Sequence, residues 1–305
     1  EPTWTPLNGL GFLWNPDFSS LKDAKVWLAA SGQIFFTLSV GIGVILTYAS
    51  YLSKDDDVLL SGLTSASANE FAEVILGGSI VIPAAFVFFG PIGIKEVANQ
   101  GTFNLSFVTM PLILKSLPFG KIFEILWFFL LFLAGLTSSI SLAQPAIAFL
   151  EDEFNLSKKK SVLIFGIICF LLSNLSILFL SKGVVDELDF WGGTFSLVVF
   201  ATVETILFAW VFGMEKAWEE MDSGSDITLP KFYKFIIKYI TPLFLLTILI
   251  SWTIQYAVPT LLLKNVPKEN IPFVLMTRII LVLLFLGLCI LVKISWSRKG
   301  EKLET

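Results

Sequence analysis

Apolar runs long enough to cross a lipid bilayer recur at about seven places along this chain. They lie at 24–51, 58–89, 120–153, 160–180, 186–212, 230–260 and 269–296, joined by short polar linkers. A soluble domain cannot hide that many, and the composition agrees: 55% hydrophobic residues, 30 Phe, and 15% charged residues in a chain of 305. In hydrocarbon every backbone N–H and C=O must be answered within the protein, which leaves helices or a closed barrel. Runs of this length select helices. The fold class is therefore all-α, a polytopic membrane protein, with residues 1–305 forming a single transmembrane domain.

Charge sets an orientation and removes several functions. Lys54, Lys158–Lys160, Lys216, Lys231, Lys234, Arg298, Lys299 and Lys302 fall in one set of loops, against Lys95, Lys115, Lys182 and Lys264 in the other. Excess Lys and Arg marks the inner side, so the N-terminus lies outside and the C-terminus in the cytoplasm, in what we read as a bacterial inner membrane. A net charge of −4 argues against a nucleic-acid partner. With no histidine, a Ser-His-Asp triad, an HExxH zinc site and a histidine proton relay are all excluded, and no nucleophile–base pair points to an enzyme. Cys169 and Cys289 sit inside apolar runs as small hydrophobes. A channel would need a ring-forming acidic filter, and none is visible.

The first apolar run is interrupted. Between Gln33 and Gly43 it carries a hydroxyl pair, Thr37 and Ser39, followed by Gly41-Ile42-Gly43. Two glycines within three residues lower the cost of unwinding, and the freed carbonyls and amides become ligands. The alternative is a Gly-kinked helix packed closely on a neighbour. On these residues alone both readings stand. Asp23 is a good N-cap for the start of this run, while residues 1–18, rich in Pro, Trp and Asn, read as an aqueous loop, as though the chain begins in mid-protein.

Further along, Asn69 and Glu73 are four apart and share a helix face. An acid at membrane depth is costly and suggests function, with a hydrogen-bonded packing pair as the plain alternative. Pro83, Pro91 and Gly101 punctuate 91–114 into two short helices, near 92–101 and 104–113. Ala134-Gly135-Leu136-Thr137-Ser138-Ser139 is a small-residue cluster that alone would mean close helix packing. Glu151-Asp152-Glu153 is an acidic run at the inner surface, Glu204 lies deep in an apolar span and reads as a structural acid before a proton carrier, Pro242 should kink its span, and Arg278 either snorkels or is paired.

The stretch GQIFFTLSVGIGVILTYASYL resembles the broken sixth helix of the neurotransmitter:sodium symporter family, on its bacterial leucine-transporter side, and the resemblance runs from about Gly9 to Arg298. It implies helices six to twelve of a twelve-helix transporter: the second inverted repeat, 24 to about 212, plus two additional helices, with the first repeat absent. The 91–114 hairpin would then be an extracellular lid. Phe36, Thr37, Ser39, Ile42, Ser138 and Leu142 would line an amino-acid pocket. Thr37 and Asn69 would ligate one Na+, and Ala134, Thr137 and Ser138 a second. Glu73 matches the acid standing where chloride-dependent relatives bind chloride, which implies chloride independence. Tyr51, Asp152 and Asp189 match gating positions, Asp189 across a short insertion.

What the resemblance implies as a whole is part of a sodium-coupled symporter for small apolar amino acids, working by alternating access. Its partners would be substrate, sodium ions, the bilayer and the missing N-terminal helices, without which transport is not expected; a homodimer is left open. The rival reading is a membrane scaffold or accessory subunit that retains the fold.

Overall fold

The computed structural model describes residues 4–303 apart from Lys54 and Gln100. Lys54, counted above among the inner basic residues, lies outside the described residues, as does Glu1. Among the described residues, six helices are long and apolar enough to cross a membrane: Val58–Ala98, Gly120–Phe154, Lys158–Leu178, Val184–Asp222, Phe232–Leu261 and Ile271–Arg298. The run at 24–51 is a pair of shorter helices, Ala24–Thr37 and Val44–Ala49. The chain is an all-helical polytopic membrane protein. Large apolar side chains such as Phe132, Phe170, Leu171, Leu283 and Phe285 remain exposed, as suits surfaces that meet lipid.

The structure divides into two compact units. The first comprises Glu1–Asp23, Lys54–Ile140 and Glu219–Leu229, the second Ala24–Ser53, Ser141–Trp218 and Pro230–Thr305.

In the first unit the N-terminal segment is not the loop that its composition suggests. Pro6–Trp14 is an α-helix. Thr5 caps it, its side chain and that of Asn8 each bonding the other's backbone amide, and Pro6 opens the helix where a missing N–H costs nothing. Polar and Pro-rich residues hid a capping box. This helix lies on Ser79–Asn99, with the rings of Trp4 and Phe12 5.6 Å and 5.4 Å from that of Phe86 and the Trp14 indole N–H donating to Ser79 Oγ at 3.3 Å.

Ser79–Asn99 is two helices joined at Gly90, whose φ of 66° and ψ of −178° only glycine adopts readily. Gly101–Asn104 and Met110–Lys115 follow, bridged by a π-turn at Leu105–Thr109. Ala85, Phe86, Ile94, Met110 and Ile113 form the buried core of this hairpin, and the Trp127 indole donates to the Ser106 carbonyl at 2.9 Å.

Asp57 caps the first long helix, accepting the Leu60 N–H at 2.8 Å with one oxygen and the Asp226 N–H at 2.8 Å with the other. The Asp226 and then the Leu60 amide hold its carboxyl below the usual 3.8.

In the second unit the core is Ala24, Leu28, Val198, Leu245, Ile248 and Trp252, ringed by Phe190, Trp191 and Phe195. Gly32 sits against Thr194, where a Cβ would come within 3.0 Å of its methyl, so two helices meet almost at backbone distance. Pro242 removes a donor from its helix, and the chain answers with a π-turn at Ile236–Ile240 just before it. Arg278 is paired: its Nε donates to Glu187 Oε1, and Nη1 and Nη2 donate to the carbonyls of Leu261 at 3.2 Å and Thr260 at 3.0 Å. Ser295, fully buried, donates to the Glu153 carboxylate and ties the last helix to the end of Gly120–Phe154.

Two predictions follow from the first unit's contacts. A Cβ on Gly9 would sit 2.5 Å from the Pro83 Cα. Gly9→Val should therefore cost about 1–3 kcal/mol by overpacking, read as a lower unfolding midpoint and earlier protease cleavage near residue 9. For Asp57, a folded pKa below the unfolded one contributes stability that is full above the unfolded value and is lost as pH falls through the folded value. Hydrogen-exchange protection of the Asp226 amide, corrected for intrinsic rate, should hold at neutral pH and be lost only beneath 3.8. Asp57→Ala should remove it at every pH.

Candidate functional site: a broken membrane helix

Ala24–Thr37 does not fray; it is closed. The Val40 N–H donates to the Phe35 carbonyl at 2.8 Å, and the Ser39 N–H to the Phe36 carbonyl at 3.1 Å. Ser39 takes the left-handed conformation, φ 57°, that this closure demands and that glycine normally supplies. The pair of bonds satisfies two carbonyls at the helix end and turns the chain out of the helical path.

The next residues explain both glycines. Gly41 has a φ of 78°, and a Cβ there would lie 2.8 Å from the Leu197 carbonyl oxygen and 3.1 Å from the Ala201 nitrogen. No side chain fits between this turn and the helix Ser196–Ile206. The Gly41 N–H, out of the helical ladder, donates to Glu204 Oε2 of that same helix at 3.2 Å. Gly43, φ 76°, then starts Val44–Ala49; its carbonyl accepts from the Thr47 N–H at 3.0 Å and from Thr47 Oγ1 at 2.9 Å. A Cβ on Gly43 would touch the Pro145 ring at 3.5 Å, and Tyr48 Oη donates to Ser141 Oγ at 2.9 Å, so this second half-helix rests on Gly120–Phe154. Of the two readings left open, the unwound one is what the chain adopts.

Phe36, Thr37, Ser39 and Ile42 all lie on or beside this turn in the second unit, Phe36 half-exposed and the others partly so. Leu142 belongs to the same unit and is exposed.

Asn69, Glu73, Ala134, Thr137 and Ser138 belong to the first unit. There Asn69 Nδ2 donates to Glu73 Oε2 at 3.4 Å across one helical turn, and Glu73 sits in a π-helical segment, Phe71–Gly78. Such segments release the strict ladder and are frequent where helices carry function. Thr137 Oγ1 donates to the carbonyls of Ala134 at 3.1 Å and Leu133 at 2.9 Å, so Ala134 oxygen and Thr137 hydroxyl share one exposed spot on the helix. Ser138 is exposed beside them. Neutral, hard oxygen donors of this kind suit a small monovalent cation.

Among the gating positions, Tyr51 is exposed at the end of the second half-helix and Asp152 is exposed between its partly buried neighbours Glu151 and Glu153. Asp189 opens another π-turn, Asp189–Phe195, and lies over Gly193, where a Cβ would come 2.9 Å from its Oδ1. Reading by residue missed the tie between Glu204 and Gly41. The only signal was an acid stranded in an apolar span, 163 positions away from its partner.

Helices broken in this way are found at the binding sites of secondary transporters. The comparisons agree. The model of the sodium:neurotransmitter symporter family matches residues 5–298, so the chain belongs to that family.

An uncharacterized sodium-dependent transporter of Methanocaldococcus jannaschii is 31% identical over 78% of this chain and 49% of its own length. The sodium-dependent dopamine transporter of Caenorhabditis elegans is 27% identical over 84% of this chain and 42% of its length. The crystal structure of MhsT in complex with L-phenylalanine superposes with a TM-score of 0.71 at 31% identity, covering 80% of this chain and 56% of that one. The chain thus spans about half the length of the relatives it matches.

If Glu204 holds the unwound turn through Gly41, then Glu204→Leu should leave a buried N–H unanswered, at about 1–3 kcal/mol. Hydrogen exchange of amides 38–43 should accelerate in that variant. Glu204→Gln, which keeps an acceptor oxygen, should retain most of the protection; equal acceleration in both would show that the bond does not hold the turn.

Proposed function

We propose that this chain supplies part of the site of a sodium-coupled, chloride-independent symporter for small apolar amino acids, working by alternating access. The observation that carries the reading is the unwound turn Ser39–Gly43, closed on one side by the Phe35 and Phe36 carbonyls and held on the other by Glu204. Such a turn presents backbone groups, and the ends of two half-helices, to a charged amino-acid substrate. Phe36, Thr37, Ser39, Ile42, Ser138 and Leu142 are the candidate pocket residues; Phe36 would roof the pocket, and Ile42 would make a branched wall. A structural relative crystallised with L-phenylalanine supports an apolar amino acid as the substrate class.

Thr37 and Asn69 contribute to one sodium site, and Ala134 oxygen with the Thr137 and Ser138 hydroxyls to the other. Sodium neutralises backbone carbonyls that the break has freed and draws the substrate carboxylate to the same place. Each ligand thereby raises affinity for the other, which is the coupling that symport needs. Glu73, bonded to Asn69, supplies a fixed negative charge beside the first sodium. Tyr51 and Asp152 act at the inner gate and Asp189 at the outer one, with the N-terminus outside and the C-terminus cytoplasmic. The remaining ligands come from the preceding helices that the family resemblance implies.

The test is sodium-dependent binding of radiolabelled leucine to the purified chain, alone and with those preceding helices co-expressed. Signal should need the added helices and sodium, persist in chloride-free buffer, and fall at least roughly ten-fold in Asn69→Ala and in Thr137→Ala. Well-folded protein giving no signal in either arm would sink the transporter reading and favour a scaffold.

A further inference from the structure

The first half-helix, Ala24–Thr37, is held by one narrow face. Its buried residues are Ala24, Leu28, Ser31 and Gly32, a stripe at helical spacing, while Val26, Ile34 and Phe36 remain exposed. Three of those four are small. Such a face lets helices approach closely, as Gly32 approaches Thr194, but it has little to lodge in a neighbour. Between helices in lipid no hydrophobic force fixes the axial position either. Leu28 is the one large side chain in the stripe, and it shares its core with Leu245, Ile248 and Trp252.

A polar tie stands at each end of this segment. At its far end the Gly41 N–H meets Glu204 Oε2 at 3.2 Å. At its near end the Ala24 N–H, one of the amides that a helix start leaves without an internal partner, donates to Gln255 Oε1 at 3.1 Å, across 231 positions. Ala24 is buried, which makes an open amide there costly. Gln255 belongs to the π-turn Thr253–Ala257, directly after Trp252, and a π-turn just before Pro259 repeats the arrangement at Pro242. Only the side-chain oxygen can accept from an N–H, so the bond also fixes which way the Gln255 amide points. Gln255 is itself exposed, so replacing it disturbs no core.

We propose that Gln255 is a positioning residue for the Ser39–Gly43 turn, acting through Ala24. A half-helix of 14 residues is a rod about 21 Å long, and holding its first amide sets where along its axis the other end stops. That end carries the Phe35 and Phe36 carbonyls and leads to the Gly41 N–H, which must stand within bonding distance of Glu204 on Ser196–Ile206. A half-helix free to slide trades that bond for looser geometry. The consequence for substrate rests on the symporter reading above, because there the turn meets a ligand; the positional claim does not.

The experiment is amide hydrogen exchange on the full chain in phosphatidylcholine nanodiscs, followed at amides 24–28, at 38–43, and at 162–172 of Lys158–Leu178 as reference. Gln255→Met, matched in length but with no oxygen to accept, should speed exchange roughly five-fold at both 24–28 and 38–43 and leave the reference unchanged. Gln255→Glu, which keeps an acceptor oxygen beside a helix start, should stay within about two-fold of the unaltered chain. In Glu204→Leu the turn is already released, so adding Gln255→Met should change 38–43 by less than about two-fold, whereas independent distant sites would multiply their effects in full. The proposal fails if the Gln255→Met effect is confined to 24–28, if the Met and Glu variants exchange alike, or if the double variant shows the full product. Should Gln255→Met also speed the reference, Gln255→Asn, which keeps the amide one methylene short, replaces it in every comparison. None of these readouts uses a ligand, so absence of leucine binding beside intact positional results would count against the symporter reading and not against Gln255.

Discussion

A helix that breaks inside hydrocarbon exposes donors and acceptors that no water can answer, and each left unanswered costs several kcal/mol. Everything distinctive in this chain follows from meeting that demand at one place. The carbonyls of Phe35 and Phe36 are taken by Val40 and Ser39, the Gly43 carbonyl by Thr47, and the Gly41 N–H by a carboxylate from another helix. The solution requires backbone contact at Leu197 and Ala201, so the glycine is demanded twice, by its φ and by its neighbour. A break answered this way is a fixed feature of the fold.

Glu204 is the costly part of that arrangement. A carboxylate at this depth is tolerated only with a donor, and an unwound amide is tolerated only with an acceptor. Each group accounts for the presence of the other. The same logic runs through the second unit at larger scale. Arg278 sits within an apolar helix because Glu187 and two carbonyls at the end of another helix receive its donors, and Ser295 is fully buried because Glu153 accepts from it. Polar ties of this kind give register to helices whose apolar faces would otherwise slide, since lipid is as good a neighbour for leucine as another leucine is.

How much of this could be read from the residues depends on the range of each interaction. The spanning helices were legible because length and hydropathy are local properties, and the break because Gly41 and Gly43 sit in the middle of one such run. Three features were not. The helix Pro6–Trp14 was masked by its Pro, Trp and Asn content, though Thr5 and Asn8 spell a capping box at the correct spacing. Ser39 carries a left-handed φ that nothing in a serine announces; the closing bonds impose it. The partners of Glu204 and Arg278 lie 163 and 91 positions away, beyond any local pattern, so the residues could be flagged as out of place without their roles being assigned. Family resemblance named candidate ligands at Asn69, Ala134, Thr137 and Ser138, and in the first unit the structure adds that Asn69 touches Glu73 and that Thr137 touches the Ala134 carbonyl.

Those two local pairs bear on how a cation would be held. The Thr137 hydroxyl spends its proton on two carbonyls of its own helix, which leaves its oxygen lone pairs facing outward, the orientation a ligand needs. Asn69 gives an amide hydrogen to Glu73 one turn along the same helix. At Thr137 the helix-internal bond and the proposed role as a cation ligand are therefore compatible.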